Sequence, residues 1–385
     1  MKRLVYLFLC TLCAVSCVYP FEADVASATG NLVVEGDIII GGTSYFKLSR
    51  LSDLNDWGSQ PELAYGDVYV EASDGTKYPY AGVTEDKGYE VPLISADPDL
   101  EYRLVANVEG REYVSEWSAA AGDCVIDDLR WQIVKEPFDQ LNILMSIHSD
   151  DGTRHFRYRY SEVWEYHSWT RADCYYVTPD ASHRYGQIVK YPYGENIYYC
   201  WKYNESAGIN QVSTGQMSED RLKDYQILNI GPHDNRLSTL YKITLEVFPI
   251  SYDSYKFYEN LKDVSFSTGS LFAPMPNAMR GNIRCSSSDE EMVYGYVDVI
   301  KPTTKTLYIE CTGEVDKFYQ RTWSNPDFKE ENPGESDWYG YYRMGYLPYA
   351  NDPMMGSSWA RKSCIDCRLA GGTKTRPDDW PNDHK

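Results

Sequence analysis

Histidine, basic residues and long apolar segments are all scarce in this sequence, and each shortage argues against a class of function. Only six of the 385 residues are histidines, and their spacing matches no metal-binding motif. Lysine and arginine number 37 against 57 acidic residues, which gives a formal net charge of −20 at pH 7. Because nucleic acids are polyanions, a chain this acidic is not expected to bind them.

Familiar catalytic motifs are missing as well. The sequence contains neither a Gly-x-Ser-x-Gly nucleophile turn nor a His-Glu-x-x-His pair. We therefore predict no catalytic residue, no metal and no cofactor. Paired carboxylates of the glycosidase kind are not recognisable from spacing alone, so a hydrolase stays an open alternative.

The only long apolar run lies at the amino terminus. Two basic residues precede Leu4 to Val15, a run of about 12 residues, whereas a membrane-spanning helix needs about 20. The run ends in Ala14-Val15-Ser16-Cys17, which resembles the lipobox of bacterial lipoprotein signals, in which the cysteine is acylated. We predict a lipoprotein signal peptide over residues 1–16 and a lipid anchor on Cys17, with an ordinary cleaved signal as the alternative.

The residues that follow predict a β-rich exported protein. Residues 17–30 have the composition of a tether, and about seven short strand patterns separated by turns extend over residues 31–130. In one of these strands Tyr102, Leu104 and Ala106 share a face. This density of short strands is typical of an immunoglobulin-like β-sandwich, which we predict for the segment. The 35 tyrosines fit half-buried strands, and they also suit a binding surface.

A larger antiparallel β domain is predicted over residues 131–385. Alternating patterns at 141–147 and 156–160 flank a turn signal, Asp150-Asp151-Gly152, so we expect a hairpin there. Residues 240–247 alternate in the same way, with one polar and one apolar face.

A meander, one short helix and a loop-rich tail complete the predicted second domain. Residues 282–311 are expected to form a three-stranded meander. The helix is predicted over Ser254 to Lys262, where aromatic residues recur at helical spacing and Ser251 is the N-cap. From Asn325 onward the chain is rich in proline, glycine and aspartate, which predicts long loops laid over the domain.

Seven of the ten cysteines lie beyond the predicted signal and anchor. Disulfides persist outside the cytoplasm, and an odd number leaves at least one thiol without an intrachain partner. The meander is expected to bring Cys285 near Cys311, and Cys174 and Cys200 flank one connection and form a second expected pair.

Cys364-x-x-Cys367 admits three interpretations: half of a zinc site, a redox pair or structural cysteines. No second pair completes a zinc site, and no βαβ setting favours redox chemistry, so a structural role is preferred. We predict structural roles for six cysteines: Cys174, Cys200, Cys285, Cys311, Cys364 and Cys367.

The order of several short motifs resembles one bacterial family, the Bacteroidetes lipoproteins grouped as domain of unknown function 4249. The resemblance spans nearly the whole chain. It departs at Asp378-Asp379, where the family has a small residue and an aromatic one. The motifs that carry it are Cys17-Val-Tyr-Pro20-Phe21, Leu32-Val-Val-Glu-Gly36, Tyr199-Cys200-Trp201, Gly269-Ser-Leu-Phe272, Gly281-Asn-Ile283, and Cys364-Ile-Asp-Cys367 with Gly371-Gly372-Thr373 and Trp380.

The resemblance implies an outer-membrane lipoprotein that works beside a TonB-dependent receptor. Such a protein is a non-enzymatic accessory that captures a small-molecule, glycan or peptide ligand and passes it to the transporter. The expected location is the cell surface, with a periplasm-facing orientation left open. Two other hypotheses are kept: a surface hydrolase of glycan or peptide, and a structural or adhesive surface protein.

Overall fold

The computed structural model describes residues 30–51, 64–192, 194–267, 281–288, 291–319 and 329–381. The predicted signal peptide, Cys17, the motif at 269–272 and all but the last residue of the predicted tether lie outside these ranges. Within them the chain is mostly β, with several antiparallel sheets and few helices, as predicted. No described helix is long and apolar enough to span a membrane.

The strands and helices follow one another in this order. The first half contains β1 (Leu32–Glu35), β2 (Ile38–Ile39), β3 (Thr43–Arg50), β4 (Gly66–Ala72), β5 (Lys77–Pro79), β6 (Gly82–Thr84), β7 (Gly88–Pro92), β8 (Tyr102–Val108), β9 (Arg111–Ser115), β10 (Val125–Val134), β11 (Gln140–His148), β12 (His155–His167), β13 (Cys174–Val177) and β14 (Gln187–Lys190). The second half contains β15 (Tyr199–Glu205), β16 (Gln211–Ser213), β17 (Arg221–Ile230), β18 (Leu240–Pro249), α1 (Tyr252–Ser267), β19 (Ile283–Cys285), β20 (Val293–Tyr294), β21 (Val299–Ile300), β22 (Thr303–Glu310), α2 (Gly313–Tyr319), α3 (Trp338–Arg343), β23 (Tyr346–Asp352), β24 (Gly356–Arg361) and α4 (Lys362–Ile365), with short 3-10 helices at Asn235–Leu237, Glu335–Asp337 and Cys367–Ala370.

Two five-stranded sheets enclose the first hydrophobic core. Their strand orders are β20-β1-β3-β7-β6 and β19-β9-β8-β4-β5. Tyr102, Leu104 and Ala106 share the buried face of β8, as their alternation predicts, and pack in this core. The immunoglobulin-like assignment stays a prediction.

The second core lies between a sheet of order β10-β11-β17 and one of order β15-β12-β18-β22. The predicted hairpin is therefore wrong, because β11 and β12 belong to different sheets and do not pair. The turn at Asp151 is present, with Ser149 Oγ and Thr153 N donating to its carboxylate. It carries the chain across the core, so that the apolar faces of the two strands meet instead of their edges.

The predicted meander is also wrong, because β19, β20 and β21 pair with strands near the amino terminus and not with one another. β19 pairs with β9, and β20 and β21 pair in parallel with β1 and β2, while β22 pairs with β18 in the second core. The burial of Val293, Val297 and Val299 in the first core accounts for this pairing. The domain boundary predicted near residue 130 falls inside β10. The predicted first domain, residues 31–130, does not contain β19, β20 and β21.

The helix at 252–267 is confirmed, and Ser251 Oγ accepts the Ser254 amide at 3.1 Å as the predicted N-cap. The expectation of one helix and a purely loop-rich tail is wrong. Beyond residue 329 the described chain forms α3, α4 and the β23–β24 hairpin, in which the large Trp359 side chain is fully buried.

A candidate ligand-binding groove

The sheet β15-β12-β18-β22 has an outer face that does not contribute to the second core. Strand alternation sends Tyr241, Ile243 and Leu245 inward, and their neighbours along β18 point outward. We call the central part of this outer face the groove floor. It consists of Tyr203 and Glu205 on β15, Arg159, Ser161 and Val163 on β12, Lys242, Thr244 and Glu246 on β18, and Thr304, Thr306 and Tyr308 on β22.

One end of the floor is bounded by the first pair of sheets. Tyr45 of β3 and Lys87 of the β6–β7 turn form this N-terminal wall, and the Lys87 ammonium lies 5.0 Å from the centre of the Tyr45 ring. A cleft of about 450 Å³ lies between this wall and floor residues such as Arg159, Ser161 and Thr244. Its size falls within the range of small-molecule sites.

A buried ion cluster fixes the N-terminal wall to the floor strands. Arg157 of β12 lies 3.2 Å from both Asp37, in the connection between β1 and β2, and Asp298, which immediately precedes β21. Its guanidinium carbon lies 4.1 Å from the centre of the Tyr258 ring, and Ser254 Oγ donates to Asp298 at 2.6 Å. Burial, and then the charge of Asp37, raise the pKa of Asp298 to about 6.

The other end of the floor is bounded by the C-terminal tail, residues 373–380, which we call the C-terminal wall. Trp380 is buried against the sheet, and its indole N–H donates to the carboxylate of Glu165 at 2.7 Å. Burial raises the pKa of Glu165. The neighbouring Asp379 forms an ion pair with Lys242 of the floor.

A disulfide between Cys200 and Cys367 holds the C-terminal wall in place. The two Cα atoms lie 5.7 Å apart, and the backbones of Trp201 and Thr373 exchange two hydrogen bonds of 2.9 Å just beyond the bond. Gly372 passes so close that an added Cβ would lie 2.8 Å from the Cβ of Cys200. Gly372 therefore allows a close approach of the tail backbone to the sheet that a larger residue would prevent.

The disulfide corrects both expected cysteine pairs. Cys285 lies in the first pair of sheets and Cys311 just beyond β22, and both are free thiols, as is Cys174. Cys367 bonds to Cys200, so the two cysteines of the Cys364-x-x-Cys367 motif are not joined to each other. Structural roles for the remaining predicted cysteines stay a prediction. Among the described residues no cluster of histidine, cysteine and carboxylate side chains is arranged to hold a metal.

Sequence reasoning did not identify the groove, although its polar residues were visible as one face of each alternating strand. Cross-strand register brings them together, since Arg159 pairs with Glu246, Ser161 with Thr244, and Thr244 in turn with Thr306. No local signal in the sequence specifies that register.

The chain matches the model of a known family. Residues 18–306 match the family described as domain of unknown function (DUF4249). The chain belongs to this family. The DUF4249 match covers three quarters of the chain. It includes the N-terminal wall and most of the groove floor, ends within β22, and leaves the C-terminal wall outside. No curated protein matches the chain.

Proposed function

We propose that this DUF4249 protein is an exported outer-membrane lipoprotein that binds a ligand without transforming it and passes the ligand to a TonB-dependent receptor. The observation that carries the proposal is the groove. Its floor is formed by four strands of a five-stranded sheet, and its walls are anchored by a buried ion cluster and a disulfide. A preformed concave surface on rigid elements is the usual form of a binding site.

The pairing of the charged groups in the groove with one another supports binding rather than catalysis. Arg159 and Glu246 form an ion pair with each other across β12 and β18, and Lys242 is paired with Asp379. These groups hold the shape of the groove and present fixed hydrogen-bonding atoms to a ligand. Cys17 and the signal that precedes it support export and lipid anchoring.

The test is a purification from native membranes. A carboxyl-terminal affinity tag on the full chain, expressed in a Bacteroidetes host and extracted in mild detergent, is expected to bring down an outer-membrane β-barrel receptor. Cys17→Ala is the matched control, because it leaves the groove intact and removes the anchor. It should shift the protein out of the membrane fraction. A preparation of the unaltered chain that contains no barrel protein contradicts the proposal.

A second function, hydrolysis of a glycan, is favoured by one observation. Glu205 and Glu246 line the same cleft from strands that are two positions apart in the sheet. Two strand spacings and an offset of two residues along the strands place the two backbones about 12 Å apart. From there two long side chains can converge to the carboxylate separation of inverting glycosidases, about 6.5–9.5 Å. The binding proposal expects no reducing sugar to be released from any bound polymer. Release by the unaltered chain that is lost in both Glu205→Gln and Glu246→Gln would establish the hydrolase instead.

A further inference from the structure

The groove is electrically balanced on a strongly acidic protein. The cleft is lined by two cations, Lys87 and Arg159, and two carboxylates, Glu205 and Glu246, whereas the chain as a whole carries a formal charge of −20. Because equal numbers of cations and carboxylates give the cleft no net charge with which to attract an ionic ligand, this balance favours a ligand without charge.

A row of hydroxyl groups crosses the floor. Ser161, Thr244 and Thr306 occupy matching positions on β12, β18 and β22, and the last two hydroxyl oxygens lie 3.1 Å apart. Ser161 and Thr306 are exposed. A hydroxyl both donates and accepts hydrogen bonds, so this row is complementary to a ligand whose own polar groups are hydroxyls.

The next row along the strands ends in an aromatic ring on each side. Tyr203, Val163, Lys242 and Tyr308 occupy matching positions on the four strands, and the two tyrosines are 53 % and 39 % exposed. Three strand spacings place the two tyrosine backbones about 14 Å apart. The Tyr203 hydroxyl donates to the carbonyl of Thr375 at 3.2 Å, which joins this end of the row to the C-terminal wall. Two aromatic faces at this separation suit a ligand with several rings in series.

We infer that the groove binds an extended, uncharged glycan that lies across the four strands, with sugar rings on Tyr203 and Tyr308 and hydroxyls against the Ser161–Thr306 row. The inference rests on the proposed function and specifies its ligand class. A neutral sugar chain has a complementary group for each part of the floor. Its C–H faces suit the tyrosine rings, its hydroxyl groups suit the central row, and it carries no net charge.

The test is affinity electrophoresis of the detergent-extracted full chain in gels that contain a soluble polymer. The neutral probes are dextran, mannan and galactan. Polygalacturonate is the anionic probe, and a tryptic digest of casein is the peptide competitor. Retardation by at least one neutral polymer is expected, without competition from the peptides. Tyr203→Ala and Tyr308→Ala should each weaken that binding about three- to tenfold, the range for loss of one aromatic contact.

Tyr339→Ala is the matched control, since Tyr339 is 45 % exposed and lies on α3, outside the groove. Its binding should equal that of the unaltered chain, and all three variants should keep the same melting temperature. Tighter binding to polygalacturonate, competition by the peptides, or no retardation by any neutral polymer overturns the inference. An equal loss in Tyr339→Ala overturns it too.

The two proposals fail separately. If the barrel receptor co-purifies and no neutral polymer binds, the ligand class is wrong and the accessory function stands. If a neutral polymer binds through Tyr203 and Tyr308 and no barrel co-purifies, the glycan site stands and the uptake role is wrong.

Discussion

Removing the Cys200–Cys367 disulfide should cost the protein much of its stability. The bond joins residues that are 167 positions apart in sequence. Closing a loop of that length in the unfolded chain removes conformational entropy worth about 5 kcal/mol at 25 °C. The double variant Cys200→Ala, Cys367→Ala deletes the cross-link without burying a new polar group, so we expect its free energy of unfolding to fall by about that amount.

The assay is equilibrium denaturation in guanidinium chloride, followed by tryptophan fluorescence. Trp201 and Trp380 pack together next to the disulfide and report directly on the C-terminal wall. The matched control is Cys174→Ala, which removes a buried free thiol and no cross-link. It corrects for the loss of a buried sulfur, and its expected cost is only about 1 kcal/mol.

Treatment with a reductant provides an independent check. Reduction should shift the unfolding midpoint of the unaltered chain towards that of the double variant and leave the double variant unchanged. A double variant whose stability lies within about 1 kcal/mol of the Cys174→Ala control would refute the reasoning, because it would mean that the bond does not restrict the unfolded chain.

Two further substitutions test the walls. Gly372→Ala should destabilise the protein by about 1–3 kcal/mol, because its Cβ would lie 2.3 Å from the Tyr166 hydroxyl oxygen and 2.8 Å from the Cys200 Cβ. Gly231→Ala, which meets no atom within 4 Å, is the control and should be neutral in the same melt. The folded-state pKa of Asp298 is raised to about 6, so this carboxyl favours folding below its unfolded pKa of about 4 and loses that contribution as the pH rises through 6. The stability of Asp298→Asn relative to the unaltered chain should therefore increase as the pH rises from 4 to 7, and a pH-independent difference in denaturation midpoints would contradict this assignment.

Strand faces were predictable from the sequence and strand partners were not. The alternation at 141–147 and 240–247 correctly identifies the residues of β11 and β18 that enter the second core, because the alternation of side-chain direction along a strand is a local property. The partner of a strand depends on which distant segment completes its sheet. Residues 283–285 pair with β9, more than 160 positions earlier, and nothing in their own pattern specifies this choice.

The C-terminal motif shows the same limit of sequence-based prediction, here for the candidate groove. Its cysteines are predicted to be structural, and Cys367 does fix the tail to the sheet, together with Gly372 and Trp380, for which no role was predicted. What their spacing does not reveal is that residues 373–380 lie at one end of the floor, while Ser161 and Thr306 at its centre are exposed. Tyr203 bonds to Thr375 and Lys242 pairs with Asp379, so these residues meet the sheet at the Tyr203–Tyr308 row. In the proposed function the anchoring residues and the binding surface therefore depend on each other, because the residues that fix the tail to the sheet also set one boundary of the groove.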